Sequence, residues 1–262
     1  MEQLEKAVAK ARAQRRIAQP GERRSPGENG TVFARATPPV YRETPVMPFR
    51  PAAFEANKVV ANRPDHPVAD IYRSLRARVQ QRLLRDNRRS LGITSPGEGE
   101  GKSWTAVNLA LSLALGENQT VLLADLDLRE PAVARYFGIE PKLGINDYLQ
   151  GRATLPECMV NPGIDRLVLL PAVGSLGNSA ELLSSPQMSS LARELKQRYA
   201  DRIIIYDLPP LLTVGDTIGF LPNVDATLLV LRDGKTHAGE LRRAVELLAG
   251  HELIGTVLNA VH

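Results

Sequence analysis

Cysteine is almost absent. Cys158 stands alone in 262 residues, which excludes a disulfide framework, suits a reducing compartment, and reads as a small buried hydrophobe. Histidine is scarce and scattered at positions 66, 237, 251 and 262, so no imidazole-based metal-ligand spacing appears. No apolar run approaches the ~20 residues that span a bilayer. The first residues, MEQLEKAVAKARAQRR, are charged from the second position and lack a signal-type apolar stretch. These absences place the chain in the cytoplasm, reaching the inner face of the membrane through a partner or through its own first helix.

A net positive charge is missing from most of the chain, although the whole carries +4. Residues 1–64 carry 12 Lys/Arg against six Asp/Glu, and the remainder carries 21 against 23. The basic excess belongs to a leader, which argues against a nucleic-acid-binding core. Residues 1–18 read as a short basic amphipathic helix, with Leu4, Val8 and Ala11 on one face. Such a helix suits anionic lipid, a partner, or plain solvent. Residues 19–67 hold nine of the 19 prolines and show no sustained periodicity, so we read them as a flexible tether.

From residue 68 to 262 the pattern changes. A helix is expected from Val68, burying Ile71, Leu75, Val79 and Leu83. Six short apolar runs then alternate with helical stretches: SLGIT, TVLLADLD, RLVLLPAV, RIIIYDLP, ATLLVLRD and GTVLNAV. Near-continuous apolar strands separated by helices predict an α/β fold with a doubly wound, mostly parallel sheet.

Pro96-x-x-x-x-Gly101-Lys102-Ser103 fits the phosphate-loop pattern, with proline in place of the first glycine. A strand precedes it and an apolar helix follows, the context that the motif requires. Peptide N–H groups must turn inward to surround phosphate oxygens, which needs backbone angles that glycine adopts freely. Gly97, Gly99 and Gly101 supply them, and Glu98 and Glu100 between them are expected to point outward to solvent. Lys102 can reach terminal phosphates, and the Ser103 hydroxyl can ligate Mg²⁺. Asp125 and Asp207 fall at the carboxyl ends of two predicted strands, with Asp127 two residues beyond the first. Ligands of open α/β sheets bind outside those strand ends, so three carboxylates are expected to converge on the loop.

SPGEGEGKS, LLADLDLREP and IIIYDLPPLL resemble the Walker A, A′ and B motifs of the bacterial tyrosine kinases of capsular and exopolysaccharide systems, P-loop enzymes related to the ParA/MinD ATPases. The resemblance covers about residues 68–261. The ParA/MinD signature lysine, five residues before the loop lysine, is here Gly97, which favours the kinase branch over a positioning ATPase.

The resemblance implies ATP and Mg²⁺ as cofactors and phosphoryl transfer to tyrosine, regulating polysaccharide assembly. It implies nucleotide contacts along Pro96, Gly97, Glu98, Gly99, Glu100, Gly101, Lys102, Ser103 and Trp104. It also implies contacts from Arg129, to phosphate or a neighbouring subunit, and from Asn259, near adenine. Ser103, Asp125 and Asp207 would serve the metal. Lys102, Asp125, Asp127 and Asp207 would carry catalysis, with metal organisation and tyrosine activation unassigned between Asp125 and Asp127. Asp70, Arg73 and Arg76 resemble the family's oligomerisation motif, with aspartate replacing glutamate, and imply a homo-oligomer.

The family's membrane-spanning co-polymerase is not within this chain and would be a separate partner. Members commonly end in a tyrosine cluster, whereas this chain ends LNAVH and its six tyrosines are isolated. Tyr41, in the tether, is the expected phosphosite. The alternative is an ATP-binding switch or scaffold of the same machinery that transfers nothing to tyrosine.

Overall fold

A computed structural model describes residues 44–116, 119–198 and 202–260. The expected basic helix 1–18, the tether as far as residue 43, and Tyr41 lie outside the described residues.

The expected strands form one parallel sheet of six. They are β1 (Ser90–Thr94), β2 (Thr120–Asp125), β3 (Leu167–Leu170), β4 (Arg202–Asp207), β5 (Ala226–Arg232) and β6 (Leu253–Asn259). Their order is β3-β2-β4-β1-β5-β6, and every pairing is parallel. Successive residues of a strand face opposite sides, so each strand feeds two cores. Val121 and Leu123 join Ile203 and Ile205 on one face. Leu122 and Ala124 join Ile204 and Tyr206 on the other.

The long helices are α2 (Pro67–Arg85), α3 (Lys102–Ala114), α8 (Pro186–Arg198) and α10 (Ala238–Leu247). Between them lie one-turn helices that apolar periodicity is too short to reveal. These are α1 (Pro51–Ala56), α4 (Val133–Phe137), α5 (Ile145–Leu149), α6 (Leu155–Cys158), α7 (Ser179–Leu183) and α9 (Asp216–Phe220).

The expected tether ends too late. Within it, residues 44–66 form a strap across the domain. Met47 and Phe49 donate backbone N–H bonds to the carbonyls of Asn161 and Pro162, and Arg50 to that of Phe137. The Phe54 ring stacks on Phe49 at 4.4 Å and meets Phe137 edge-on at 5.4 Å. Burial of Phe54 contributes about 2 kcal/mol. The N–H groups of Val60 and Ala61 both donate to Asn108 Oδ1 on α3, at 2.9 and 3.0 Å. A strap of this kind needs no periodicity, only anchors, and its prolines disguised it.

Helix α2 starts one residue before the expected position, on Pro67. Its buried stripe is Ala69, Tyr72, Val79 and Leu83, while Ile71 is 63% exposed. Val79 and Leu83 are thus buried as expected and Leu75 is half-buried against the same core. Only Ile71 gives way, to Tyr72, whose ring packs edge-on against Trp104 of α3, 5.6 Å away. Cys158 is buried, and burial pushes its thiol up to about 11. It is a core residue.

Candidate active site

The phosphate loop spans residues 95–101 between β1 and α3. Gly101 caps α3 in a left-handed conformation, φ 96°, and a Cβ there would stand 2.0 Å from Asn259 Nδ2. Only glycine fits. Helix α3 runs for 13 residues from this point, so its positive N-terminal end faces the crevice.

The segment after β4 runs beside the loop. Leu208 donates its N–H to the Ile93 carbonyl, Leu211 to that of Ser95, and Leu212 to that of Pro96. The Pro209 carbonyl accepts from the Thr94 and Thr217 hydroxyls at 2.7 and 2.6 Å. These bonds fix Asp207 against the loop.

Asp125 and Asp207 are register partners at the carboxyl ends of neighbouring strands, and both are wholly buried. Lys102 Nζ lies 2.7 Å from Asp127 Oδ2, 3.9 Å from Asp207 Oδ1 and 3.2 Å from Ser103 Oγ. The structure thus brings Lys102, Ser103, Asp127 and Asp207 together. Asp125 plays a different part. Its Oδ2 accepts the Ala132 and Val133 N–H groups, both at 2.9 Å, and its Oδ1 accepts the Asp127 N–H at 3.2 Å. It braces the turn that carries Asp127. Asp127, not Asp125, lines the open crevice of about 570 Å³ alongside Lys102 and Ser103.

Burial and the Asp207 charge push Asp125 up to about 7, against the Val133 and Ala132 N–H bonds. Burial also raises Asp207, with Lys102 and the neighbouring Ser103 hydroxyl pulling it back. Burial would lower Lys102, but Asp207 and Asp127 outweigh it and hold the ammonium above the ordinary lysine range. Among the described residues, neither Asp207 oxygen accepts a hydrogen bond of ordinary geometry. A buried carboxylate without such bonds is costly unless something completes it.

That orphaned pair of oxygens fits a divalent cation. Mg²⁺ keeps several waters and takes one or two carboxylates plus substrate phosphates. No group of three or more His, Cys, Asp or Glu side chains among the described residues forms a metal cage unaided. The donor set suits a cation delivered with phosphate.

Several expected contacts are placed otherwise. Glu98 is exposed, as expected. Glu100 is not: it is 2% exposed, and its Oε1 accepts the Thr236 hydroxyl at 2.8 Å. Burial raises its carboxyl, against the Thr236 bond. Trp104 turns away from the crevice, its indole N–H donating to the Lys58 carbonyl at 2.9 Å. Arg129 lines the crevice, yet its guanidinium pairs with the buried Asp216 at 3.3 Å. Asp216 also accepts the Ser179 hydroxyl. Asn259 donates to the Glu100 carbonyl at 3.0 Å.

Asp70 and Arg73 pair within α2, and Arg76 donates to the Ser112 carbonyl on α3 at 2.6 Å. Sequence reasoning missed Arg135, Tyr136 and Thr213, which complete the crevice wall. The Asp216 anchor was missed as well. Only the position of Asp216, nine residues past Asp207, hinted at a role.

No family model matches the chain. Among curated proteins, tyrosine-protein kinase YwqD of Bacillus subtilis is 33% identical over 213 residues, 80% of this chain and 88% of that one. The chain belongs to the bacterial tyrosine kinases. The succinoglycan biosynthesis transport protein ExoP of Rhizobium meliloti is 30% identical over 218 residues, 81% of this chain. The chain spans only 27% of ExoP's length. The solved kinase domain of Escherichia coli tyrosine kinase ETK superposes with a TM-score of 0.71 at 26% identity, covering 78% of this chain and 79% of that one. That solved kinase domain thus shares the fold described here. Among the described residues, no helix is long and apolar enough to cross a membrane.

Proposed function

We propose that this bacterial tyrosine kinase uses Mg·ATP to phosphorylate tyrosine in a polysaccharide-assembly machine, working at the inner face of the membrane with a separate co-polymerase. The observation that carries the reading is Asp207: wholly buried, without an ordinary hydrogen bond among the described residues, and 3.9 Å from the phosphate-loop Lys102. Mg²⁺ when bound would neutralise charge on the phosphates. Asp207 and the Ser103 hydroxyl would hold it, with Asp125 bracing the site. The loop N–H groups and Lys102 bind and orient the phosphates. Asp127, facing the crevice, accepts the proton of the attacking tyrosine hydroxyl.

The second reading is an ATP-dependent switch without tyrosine transfer. It draws support from the four described tyrosines, none of which is exposed: Tyr72 and Tyr206 are buried, and Tyr136 and Tyr148 are half-buried. The deciding experiment incubates the purified chain, alone and with its co-polymerase, with Mg·ATP and maps phosphotyrosine by mass spectrometry. Phosphotyrosine at Tyr41 or on the partner, abolished in Lys102→Met, is expected. ATP uptake without phosphotyrosine on either protein favours the switch and refutes the kinase.

A further inference from the structure

Three consecutive carbonyls of the phosphate loop are tied from outside by one strip of the sheet edge. Lys235 Nζ donates to Glu98 O at 2.5 Å, Arg232 to Gly99 O at 3.0 Å, and Asn259 Nδ2 to Glu100 O at 3.0 Å. Arg232 and Asn259 end β5 and β6, where they are register partners, and Lys235 follows in the next turn. Thr236 in the same turn holds the Glu100 side chain and accepts the Arg232 N–H at 2.8 Å.

In a planar trans peptide the C=O of one residue and the N–H of the next point in opposite directions. Tying the carbonyls of residues 98, 99 and 100 outward therefore turns the N–H groups of Gly99, Glu100 and Gly101 inward. None of these three donates to another backbone carbonyl among the described residues. They are the groups that a phosphate would meet. The loop's left-handed glycines, Gly99 at φ 66° and Gly101 at φ 96°, permit this shape but do not impose it, because glycine is free to adopt many others.

We infer that Arg232, Lys235 and Asn259 are positioning residues: an external clamp that holds the phosphate loop in its anion-binding shape before nucleotide arrives. The inference rests on the nucleotide-binding reading above and assigns Asn259 a task at the loop backbone instead of at the base. Its amide nitrogen occupies the space that the missing Gly101 side chain leaves. A clamp acts on whatever the loop binds. It is blind to the base.

The test measures binding of two probes, Mg·ATP and Mg·tripolyphosphate, by calorimetry to the full chain. The variants are Asn259→Ala and the double variant Arg232→Ala/Lys235→Ala, with exposed Lys142→Ala as the control for lost charge. Asn259→Ala is expected to weaken both probes by the same factor, about fivefold for one lost hydrogen bond. The double variant is expected to weaken both by tenfold or more, because its bonds are charge-assisted, while Lys142→Ala changes neither. Asn259→Ala weakening ATP alone would overturn the clamp and make Asn259 a base reader. Variants that bind both probes like the parent would overturn the clamp alone. A parent chain that binds neither probe would overturn the nucleotide reading and the clamp with it.

Discussion

Asp125 makes the apoprotein's stability depend on pH in a direction opposite to that of most carboxylates. Burial and Asp207 push its folded-state value up to about 7, whereas in an unfolded chain it titrates near ~3.9. Below about pH 4 both states carry the proton and the group contributes no difference. Between about 4 and 7 the folded state keeps a proton that the unfolded state has released. Stability therefore falls as pH rises, by at most about 1.4 kcal/mol per unit. Above about 7 the loss levels off near an upper bound of about 4 kcal/mol. Asp207, also raised, acts with the same sign. Lys102, held above the lysine range, contributes stability that persists throughout this window.

Asp125→Asn removes the charge and keeps the size. Its single oxygen can still accept the Ala132 and Val133 N–H groups, but its amide then opposes the Asp127 N–H. That lost bond costs about 1 kcal/mol. The variant is expected to gain on the parent as pH rises, from near parity at pH 5 to about 3 kcal/mol more stable at pH 8. Urea denaturation of nucleotide-free protein at half-unit steps from pH 5 to 8 measures this. A parent whose stability is flat or rising from pH 5 to 7, or a variant that tracks it at constant offset, would refute the electrostatic account of the site.

Three further outcomes test other parts of the structure. Tyr206 is wholly buried and its hydroxyl has no hydrogen-bond partner among the described residues, so Tyr206→Phe should leave stability unchanged or raise it by about 1 kcal/mol. A loss above that in thermal melting would show a hidden partner. Gly101→Ala forces a Cβ into a left-handed residue and against Asn259. It should cost about 1–3 kcal/mol and abolish Mg·ATP uptake in calorimetry; a variant that binds normally refutes the loop geometry. Arg76→Ala removes the Ser112 anchor between α2 and α3 and should cost about 1 kcal/mol in denaturant melts. If Arg76 serves only assembly between chains, light scattering will change while monomer stability does not.

The parts legible in sequence were those whose physics is local. TVLLADLD and RIIIYDLP announce buried parallel strands because both faces of such strands are covered, and the acid that ends each run falls at the carboxyl edge where ligands bind. The loop motif, its flanking strand and its helix lie within 25 consecutive residues, so Lys102 and Ser103 could be placed before any tertiary contact was known. The strap 44–66 was not legible, since its anchors Phe49, Phe54 and Val60 follow no period and answer to Phe137 and Asn108, far along the chain. The first turn of α2 was misplaced for a related reason. Val79 and Leu83 are buried in either reading, and the Trp104 ring decides that Tyr72 joins them instead of Ile71.

Glu100 shows where local reasoning stops. A carboxylate in a phosphate loop should face solvent, because burial beside an anion site raises the free energy of its charged form. Here the side chain is buried through Thr236, 136 residues later, while its own carbonyl is held by Asn259, 159 residues later. Side chain and backbone are thus both bound to the end of the β5–β6 edge. Between them they fix the peptide whose N–H belongs to Gly101. An acid that looked like a surface residue ties the loop to the sheet, and a pattern confined to nine residues carries no trace of partners that only the fold brings near.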